Sequence, residues 1–163
     1  MLGKFWEKKT EVITSPVVGR SIPIEKVSDK VFAEKLLGDG IAFIFEGDTV
    51  YAPCSGEIIM IADTRHAFGI RTANGTEILL HVGTDTVNLK GEGLELLVSN
   101  HTKIRAQSPI LRIDRKFMQD KNIDLTTPMI ISNMDEYDLE IESPPGCEFG
   151  QRDYQDKEKI IVI

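Results

Sequence analysis

Two of the three histidines in the chain, His66 and His81, lie on either side of Asn74-Gly75 between apolar runs. Asn-Gly is the strongest short-range signal for a β-hairpin, because both central residues of its two-residue turn adopt positive φ angles. With such a turn, Phe68 pairs with His81 across the ribbon. His66 then pairs with Gly83 and becomes a diagonal neighbour of His81, with a Cα separation of about 7–8 Å. The spacing therefore predicts two imidazoles close together on one face.

The alternation of side chains along each strand assigns the two faces of this ribbon. Phe68 and Leu79 are predicted to share the face of the histidines, where an apolar surface around two titratable rings indicates a docking site. The opposite face is predicted to belong to the core and carries Ile78, Leu80 and Val82.

One chemistry open to the pair is transfer of a phosphoryl group through a phosphohistidine. It requires that one ring nitrogen keep its proton against an acceptor, so that the other nitrogen carries the free lone pair. The carbonyl of Gly83, two residues beyond His81, can accept from His81 Nδ1 and leave Nε2 as the nucleophile. His66 would donate a hydrogen bond to the phosphoryl oxygens as charge builds there. The Thr64 hydroxyl would orient the His66 ring.

Two other interpretations of the pair stay open from the residues alone. The rings could be hydrogen-bonded structural histidines, or they could bind zinc, as in a zinc hydrolase. A stable zinc site needs a third and usually a fourth ligand, and the sequence has no His-Glu-x-x-His helix. His101, the remaining histidine, lies in the polar stretch "SNHTKI" and is expected to be exposed to solvent.

The chain as a whole is expected to fold as one domain. Its 163 residues suit one domain better than two, and we assign residues 1–11 to a flexible arm and 12–163 to the domain. A net charge of -7 argues against a nucleic-acid partner, which would require clustered Lys and Arg. The apolar runs are too short to span a bilayer. Two cysteines without a secretion signal indicate a cytoplasmic protein.

Ten short runs rich in Val, Ile and aromatic residues, bounded by Gly, Pro, Asn and Asp, predict strands. They lie at 11–18, 41–46, 49–53, 56–62, 67–72, 76–82, 109–114, 128–133, 137–142 and 159–163. Asp114 suits the N-cap of a helix at 114–122, and shorter helical turns are predicted within 27–40 and 91–100. Many short strands between turns indicate an all-β fold, an antiparallel β-sandwich or barrel-like domain with a few short helical turns.

Four stretches make the sequence similar to a known family. They are "SPVVGRSIPIEKVSDKVFAEKLLGDGIAF", "APCSGEI", "HAFGIRTANGTEILLHVGTDTVNLKGEG" and "TPMIISN". From about residue 12 to 163 the chain resembles the glucose-family IIA component (EIIA) of the bacterial phosphoenolpyruvate-dependent sugar phosphotransferase system. The resemblance implies an antiparallel sandwich-like fold and a phosphotransferase that carries phosphate between proteins. The Met1 start favours a stand-alone IIA protein over a domain cut from a longer permease.

The resemblance also implies the route of the phosphoryl group. His81 would accept it from the phosphocarrier protein HPr and pass it to a cysteine of a IIB domain, and the sugar would enter through a IIC membrane partner. His66 would be the second active-site histidine, with Thr64 as its hydrogen-bond partner. The carbonyl of Gly83 would fix the orientation of His81.

Further positions match residues that flank the site in this family. Asp29 and Asp85 match acidic positions that meet basic groups on HPr, and Phe32 and Leu37 match apolar rim residues. No cofactor is expected to be required, although a zinc ion could bridge the two histidines. The resemblance also allows the unphosphorylated protein to bind regulatory target proteins. Stable membrane insertion is not expected.

Overall fold

The computed structural model describes residues 12–133 and the strand segments Glu140–Ile141, Glu148–Phe149 and Ile161–Val162. The strands are β1 (Val12–Ile13), β2 (Gly19–Pro23), β3 (Asp39–Phe45), β4 (Thr49–Tyr51), β5 (Gly56–Ile61), β6 (Ala67–Arg71), β7 (Glu77–His81), β8 (Leu94–Leu96), β9 (Lys103–Ile104), β10 (Pro109–Ile113), β11 (Thr127–Ile131), β12 (Glu140–Ile141), β13 (Glu148–Phe149) and β14 (Ile161–Val162). Every described pair of strands is antiparallel.

Eight of these strands form one large sheet in the order β13-β2-β3-β11-β7-β6-β5-β9. A three-stranded sheet has the order β4-β10-β8, and another has the order β1-β14-β12. In the described part of the chain each sheet runs from one edge strand to another, so none of these sheets closes on itself. The predicted all-β antiparallel fold is confirmed.

The helical segments are short, as predicted. They are α1 (Lys30–Ala33), α2 (Arg115–Asp120) and two 3₁₀ turns at Ile24–Lys26 and Thr86–Leu89. Asp114 caps α2, because its side chain accepts a hydrogen bond from the backbone of Phe117 at 3.0 Å. No helix in the residues described has the length and apolar character required to cross a membrane.

The prediction of a helical turn within 91–100 is wrong. Gly91 and Gly93, with φ of +87° and +76°, bend the chain into turns there. The following residues form β8, which pairs with β10 through Leu94 and Ile113. Pairing in the sheet outweighs the weak helical preference of this stretch. The predicted arm at 1–11 lies outside the described residues, and the single domain at 12–163 stays a prediction.

The large sheet has a hydrophobic cluster on each face. The main core lies between this sheet and the β4-β10-β8 sheet and includes Phe43, Phe68, Leu80, Leu94 and Leu111. The second cluster lies on the other face of the sheet, between the sheet and the segment that contains α1. It consists of Ile24, Val27, Phe32, Ala42 and Ile130, with Ile22 and Leu79 packed against it. Because Leu80 lies in the main core and Leu79 packs against the second cluster, β7 is covered on both faces.

The hairpin between β6 and β7 has a register one residue away from the predicted one. Ala67 pairs with His81 and Phe68 pairs with Leu80. The turn is longer than two residues, because Thr72 N donates to Thr76 O at 2.9 Å across a three-residue loop. Only Gly75 of the Asn-Gly pair has a positive φ, +90°. A three-residue loop with a left-handed last residue is the next commonest hairpin connection.

The change of register moves Phe68 to the other face of the ribbon. A one-residue shift exchanges the two faces of a strand, and Phe68 is fully buried in the main core at 0% exposure. The prediction that Phe68 belongs to the docking surface is therefore wrong. The prediction that Ile78, Leu80 and Val82 point into the core is confirmed, since all three are buried in the main cluster.

The position of Phe68 can be tested by its truncation. Phe68→Ala should lower the free energy of unfolding by about 3–5 kcal/mol, because it opens a cavity in the packed core. Leu36→Ala is the control, because Leu36 is 67% exposed, and it should change the free energy by less than about 0.5 kcal/mol. Urea denaturation measures both. Equal stabilities of the two variants would contradict the core position of Phe68.

Candidate functional site

The last residue of β7, His81, is hydrogen-bonded to the chain that follows it. His81 Nδ1 lies 2.7 Å from the carbonyl oxygen of Gly83. A carbonyl oxygen only accepts hydrogen bonds, so Nδ1 must carry the proton. In the neutral ring the lone pair is then on Nε2. The predicted contact between His81 and Gly83 is present, and it defines the tautomer of the ring.

Gly83 occupies a position that a side chain would not fit. Its φ is +74°, a conformation that glycine adopts without steric cost. A Cβ atom added there would lie 2.6 Å from Thr86 Cγ2 and 2.9 Å from the carbonyl oxygen of Asp124. The same Asp124 carbonyl accepts a hydrogen bond from Thr84 N at 2.9 Å. The Gly83 carbonyl is therefore held against His81 by a turn that is packed on the 122–125 segment.

His66 is brought next to His81 from the loop before β6. The two ring centroids are 4.7 Å apart, with the planes at 77° to each other. The His66 carbonyl accepts from Val82 N at 2.7 Å, and Thr64 Oγ1 lies 2.6 Å from His66 Nδ1. His66 precedes the strand, so the alternation of faces does not constrain its ring. The predicted proximity of the histidines therefore exists despite the different register.

Burial lowers the pKa of both histidines. For His66 the main cause is desolvation, and the neighbouring His81 charge adds to it. For His81 desolvation also lowers the pKa, while the bond to Gly83 and the negative charge of Asp29 partly oppose it. The lowered pKa values favour the neutral form of both rings at pH 7. A neutral ring is the form in which His81 Nε2 can act as a nucleophile.

An apolar ring of α1 adjoins the His81 ring, whereas Leu79 lies two residues before His81 on β7 and Leu37 follows α1 in the chain. The centroid of Phe32 is 5.0 Å from that of His81, but Phe32 is 4% exposed and belongs to the second cluster. Leu79 is half-buried against the same cluster. Leu37 is 45% exposed. Of the three, Leu37 offers the most surface to another molecule, whereas Phe32 mainly supports the His81 ring.

The two acidic residues predicted to flank the site are both exposed. Asp29 caps α1, because its Oδ1 accepts from Val31 N at 2.9 Å, and its charge reaches His81. Asp85 precedes the 3₁₀ turn at Thr86–Leu89 and has a left-handed conformation with φ of +43°.

Three exposed apolar residues close in sequence to Asp29, Leu37 or Asp85 were not predicted. They are Val31, Leu36 and Val87. Val31 lies in α1, Leu36 directly precedes Leu37, and Val87 lies two residues after Asp85. An apolar residue in a short helical turn is typical of a core position, so its exposure could not be inferred from the sequence.

The two imidazoles could supply two ligands to a metal ion. Within the described residues there is no group of three or more His, Cys, Asp or Glu side chains arranged to hold a metal. A zinc ion bridging His66 and His81 stays a prediction that these observations do not test.

The sequence from residue 11 to 137 matches the family model of the phosphoenolpyruvate-dependent sugar phosphotransferase system, EIIA 1. The chain belongs to this family. The fold is also similar to that of a solved structure, the glucose permease IIA from Mycoplasma capricolum. The two chains share 34% identity and a TM-score of 0.85, over 97% of this chain and 99% of the other. The glucose-family EIIA predicted from the resemblance is confirmed, and with it a role in phosphoryl transfer for sugar transport.

The close packing around Gly83 of this EIIA chain predicts a measurable cost of substitution. Gly83→Ala should lower the free energy of unfolding by about 1–3 kcal/mol, because it combines a positive φ with overpacking. Gly47→Ala is the matched control, since its added Cβ would be no closer than 3.4 Å to any neighbour, Val18 Cβ. Urea denaturation of both variants measures the difference. A Gly83 variant as stable as the Gly47 variant would show that the turn tolerates a side chain.

The lowered histidine pKa values predict a dependence of stability on pH. The folded state binds protons less readily than the unfolded state, so the free energy of unfolding should fall as pH decreases below about 6.5. A double variant, His66→Gln with His81→Gln, should lose this part of the dependence between about pH 7 and 5.5. Unfolding curves at a series of pH values test this. An unchanged slope in the double variant would contradict it.

Proposed function

We propose that His81 carries a phosphoryl group from phospho-HPr to the cysteine of a IIB domain. The lone pair of Nε2 attacks phosphorus, the N–P bond to the donor histidine of HPr breaks, and a new N–P bond forms on His81. In the next step the thiolate of the IIB cysteine takes the phosphoryl group and His81 is neutral again. The observation that carries this proposal is the hydrogen bond of His81 Nδ1 to Gly83, because it leaves Nε2 free.

His66 is the group that stabilises the transferred phosphate in this proposal. Its Nε2 must carry a proton to donate to the phosphoryl oxygens, and in the neutral ring Nδ1 is then an acceptor. Thr64 Oγ1, at 2.6 Å, would donate its hydrogen to that nitrogen. The neutral state expected from the lowered pKa of His66 supports this assignment. Donors already aimed at the developing charge are the largest common source of catalysis.

The surroundings of the pair support the docking of one protein after another. Exposed Leu37, which follows α1 in the chain, and half-buried Leu79, which packs against the cluster of Phe32, would provide apolar surface. Such surface would exclude water that hydrolyses the phosphohistidine. Asp29 and Asp85 would attract basic residues of HPr and steer the encounter more than they raise affinity. Phe32 would contribute by packing against His81, and Phe68 through the core alone.

The partners in this proposal are HPr and a IIB/IIC sugar permease, and the transfers take place in the cytoplasm. Binding of regulatory targets by the unphosphorylated protein remains a prediction. Phosphate would add about 1.5 to 2 negative charges to this surface, enough to reject an apolar partner.

Substitution of the histidines tests the proposal. With labelled phosphoenolpyruvate, enzyme I and HPr, His81→Gln should take up no phosphate, because the nucleophile is missing. His66→Gln should still be labelled but should pass phosphate to IIB at least about 100-fold more slowly, since a stabilising donor is lost. His101→Gln is the control, because His101 is exposed, and it should behave as the unmodified protein.

Normal labelling of the His81 variant would show that His81 is not the acceptor. Onward transfer at the normal rate by the His66 variant would refute the role of His66 alone.

A further inference from the structure

The loop between β5 and β6 carries an arginine directly before His66, in an unusual backbone conformation. The loop is closed by hydrogen bonds from Ala62 N to Ala67 O at 2.9 Å and from Arg65 N to Ala62 O at 2.8 Å. Arg65 has a φ of +63°. Glycine and asparagine are the residues best suited to this left-handed conformation. The turn alone therefore does not explain why an arginine stands there.

The left-handed residue brings its two neighbours together. An extended residue at 65 would separate the Cα atoms of Thr64 and His66 by about 6.6 Å. In the observed turn the Thr64 hydroxyl oxygen lies 2.6 Å from His66 Nδ1. The hydrogen bond that orients His66 thus depends on the conformation of Arg65.

The Arg65 side chain anchors this loop to a segment that is distant in sequence. Its Nη1 donates to the carbonyl oxygen of Leu94 at 3.2 Å, at the start of β8. Its aliphatic part passes over Gly91, where an added Cβ atom would lie 3.5 Å from Arg65 Cδ and 3.6 Å from Arg65 Nε. Leu94 itself is buried in the main core. The loop is therefore anchored to a rigid element rather than only to its own strands.

We propose that Arg65 is a positioning residue that holds the Thr64–His66 segment, and so the His66 ring, against His81. The proposal rests on the function proposed above for its effect on phosphotransfer. Its guanidinium is directed at the Leu94 carbonyl, so it acts through the loop. Without this anchor the His66 ring would sample orientations in which Nε2 does not face the phosphate on His81.

Three variants separate the side chain from the backbone conformation. Arg65→Ala removes the anchor and keeps the strain of a positive φ, whereas Arg65→Gly removes both. Arg65→Lys keeps the long stem and a donor. Arg112→Ala is the matched control, because Arg112 is an exposed arginine on β10 whose side chain pairs with Glu95 at 3.5 Å.

The Ala and Gly variants should both slow the first-order transfer step within the complex with IIB by about tenfold. The KM for phospho-HPr should stay the same, because no docking surface is removed. The Lys variant should recover part of the rate. Arg65→Ala added to His66→Gln should cost nothing further, since two residues that act as a unit are not additive.

A second measurement does not depend on phosphotransfer. In the unphosphorylated Ala and Gly variants, NMR signals of the His66 ring should broaden and titrate closer to pH 6.5, because the loosened ring gains solvent. This result would stand even if His81 proved not to be the phosphate acceptor, so the two proposals fail separately.

Three outcomes would overturn the proposal. Normal transfer and normal His66 signals in Arg65→Gly would show that the turn conformation alone suffices. A raised KM with unchanged His66 signals would assign Arg65 to partner docking. Additive losses in the double variant would show that Arg65 does not act through His66.

Discussion

The hydrogen bond between His81 and the Gly83 carbonyl is the constraint on which the rest of the site depends. It sets the tautomer of the neutral His81 ring and leaves the lone pair on Nε2. The bond exists because Gly83 adopts a positive φ in a turn with no room for a Cβ atom. A single glycine thus links the local backbone geometry to the chemistry of the neighbouring ring.

The fold supplies the rigidity that this geometry needs. The β6–β7 hairpin lies inside the eight-stranded sheet, with the main core on one face and the cluster around Phe32 on the other. The histidines lie at one end of this hairpin, beside α1, where the cover is incomplete. Both rings are desolvated enough for their pKa values to fall, while His81 is only half-buried and keeps some contact with solvent.

The histidine pair was predictable from the sequence, but part of the geometry that supports it was not. Most strand positions, the Asp114 cap and the buried set Ile78, Leu80 and Val82 followed from periodicity and capping preferences, because these are local properties. The strands β2, β8, β9 and β13 were not predicted. The proximity of His66 and His81 was predicted from a hairpin in the wrong register, and it exists because His66 lies in the loop before β6. Membership of the EIIA family, by contrast, rested on resemblance and was then shown by comparison.

The features that were predicted wrongly or missed depend either on contacts between residues distant in sequence or on a single turn residue. Asn-Gly is compatible with a two-residue and a three-residue loop, and the choice reversed the face of Phe68. The hydrogen bond from Arg65 to Leu94 connects residues 29 positions apart in the sequence, and no local sequence pattern predicts it. The exposure of Leu36 and Val31 depends on how α1 covers the sheet, which composition does not determine.

The most direct test of the account is long-range ¹H–¹⁵N NMR of the histidine rings before and after phosphorylation. Before phosphorylation, His81 should carry its proton on Nδ1. After phosphorylation, phosphorus should be on His81 Nε2, with Nδ1 still protonated and His66 unmodified. A proton on Nε2 in the first state, or phosphorus on Nδ1 or on His66 in the second, would contradict it.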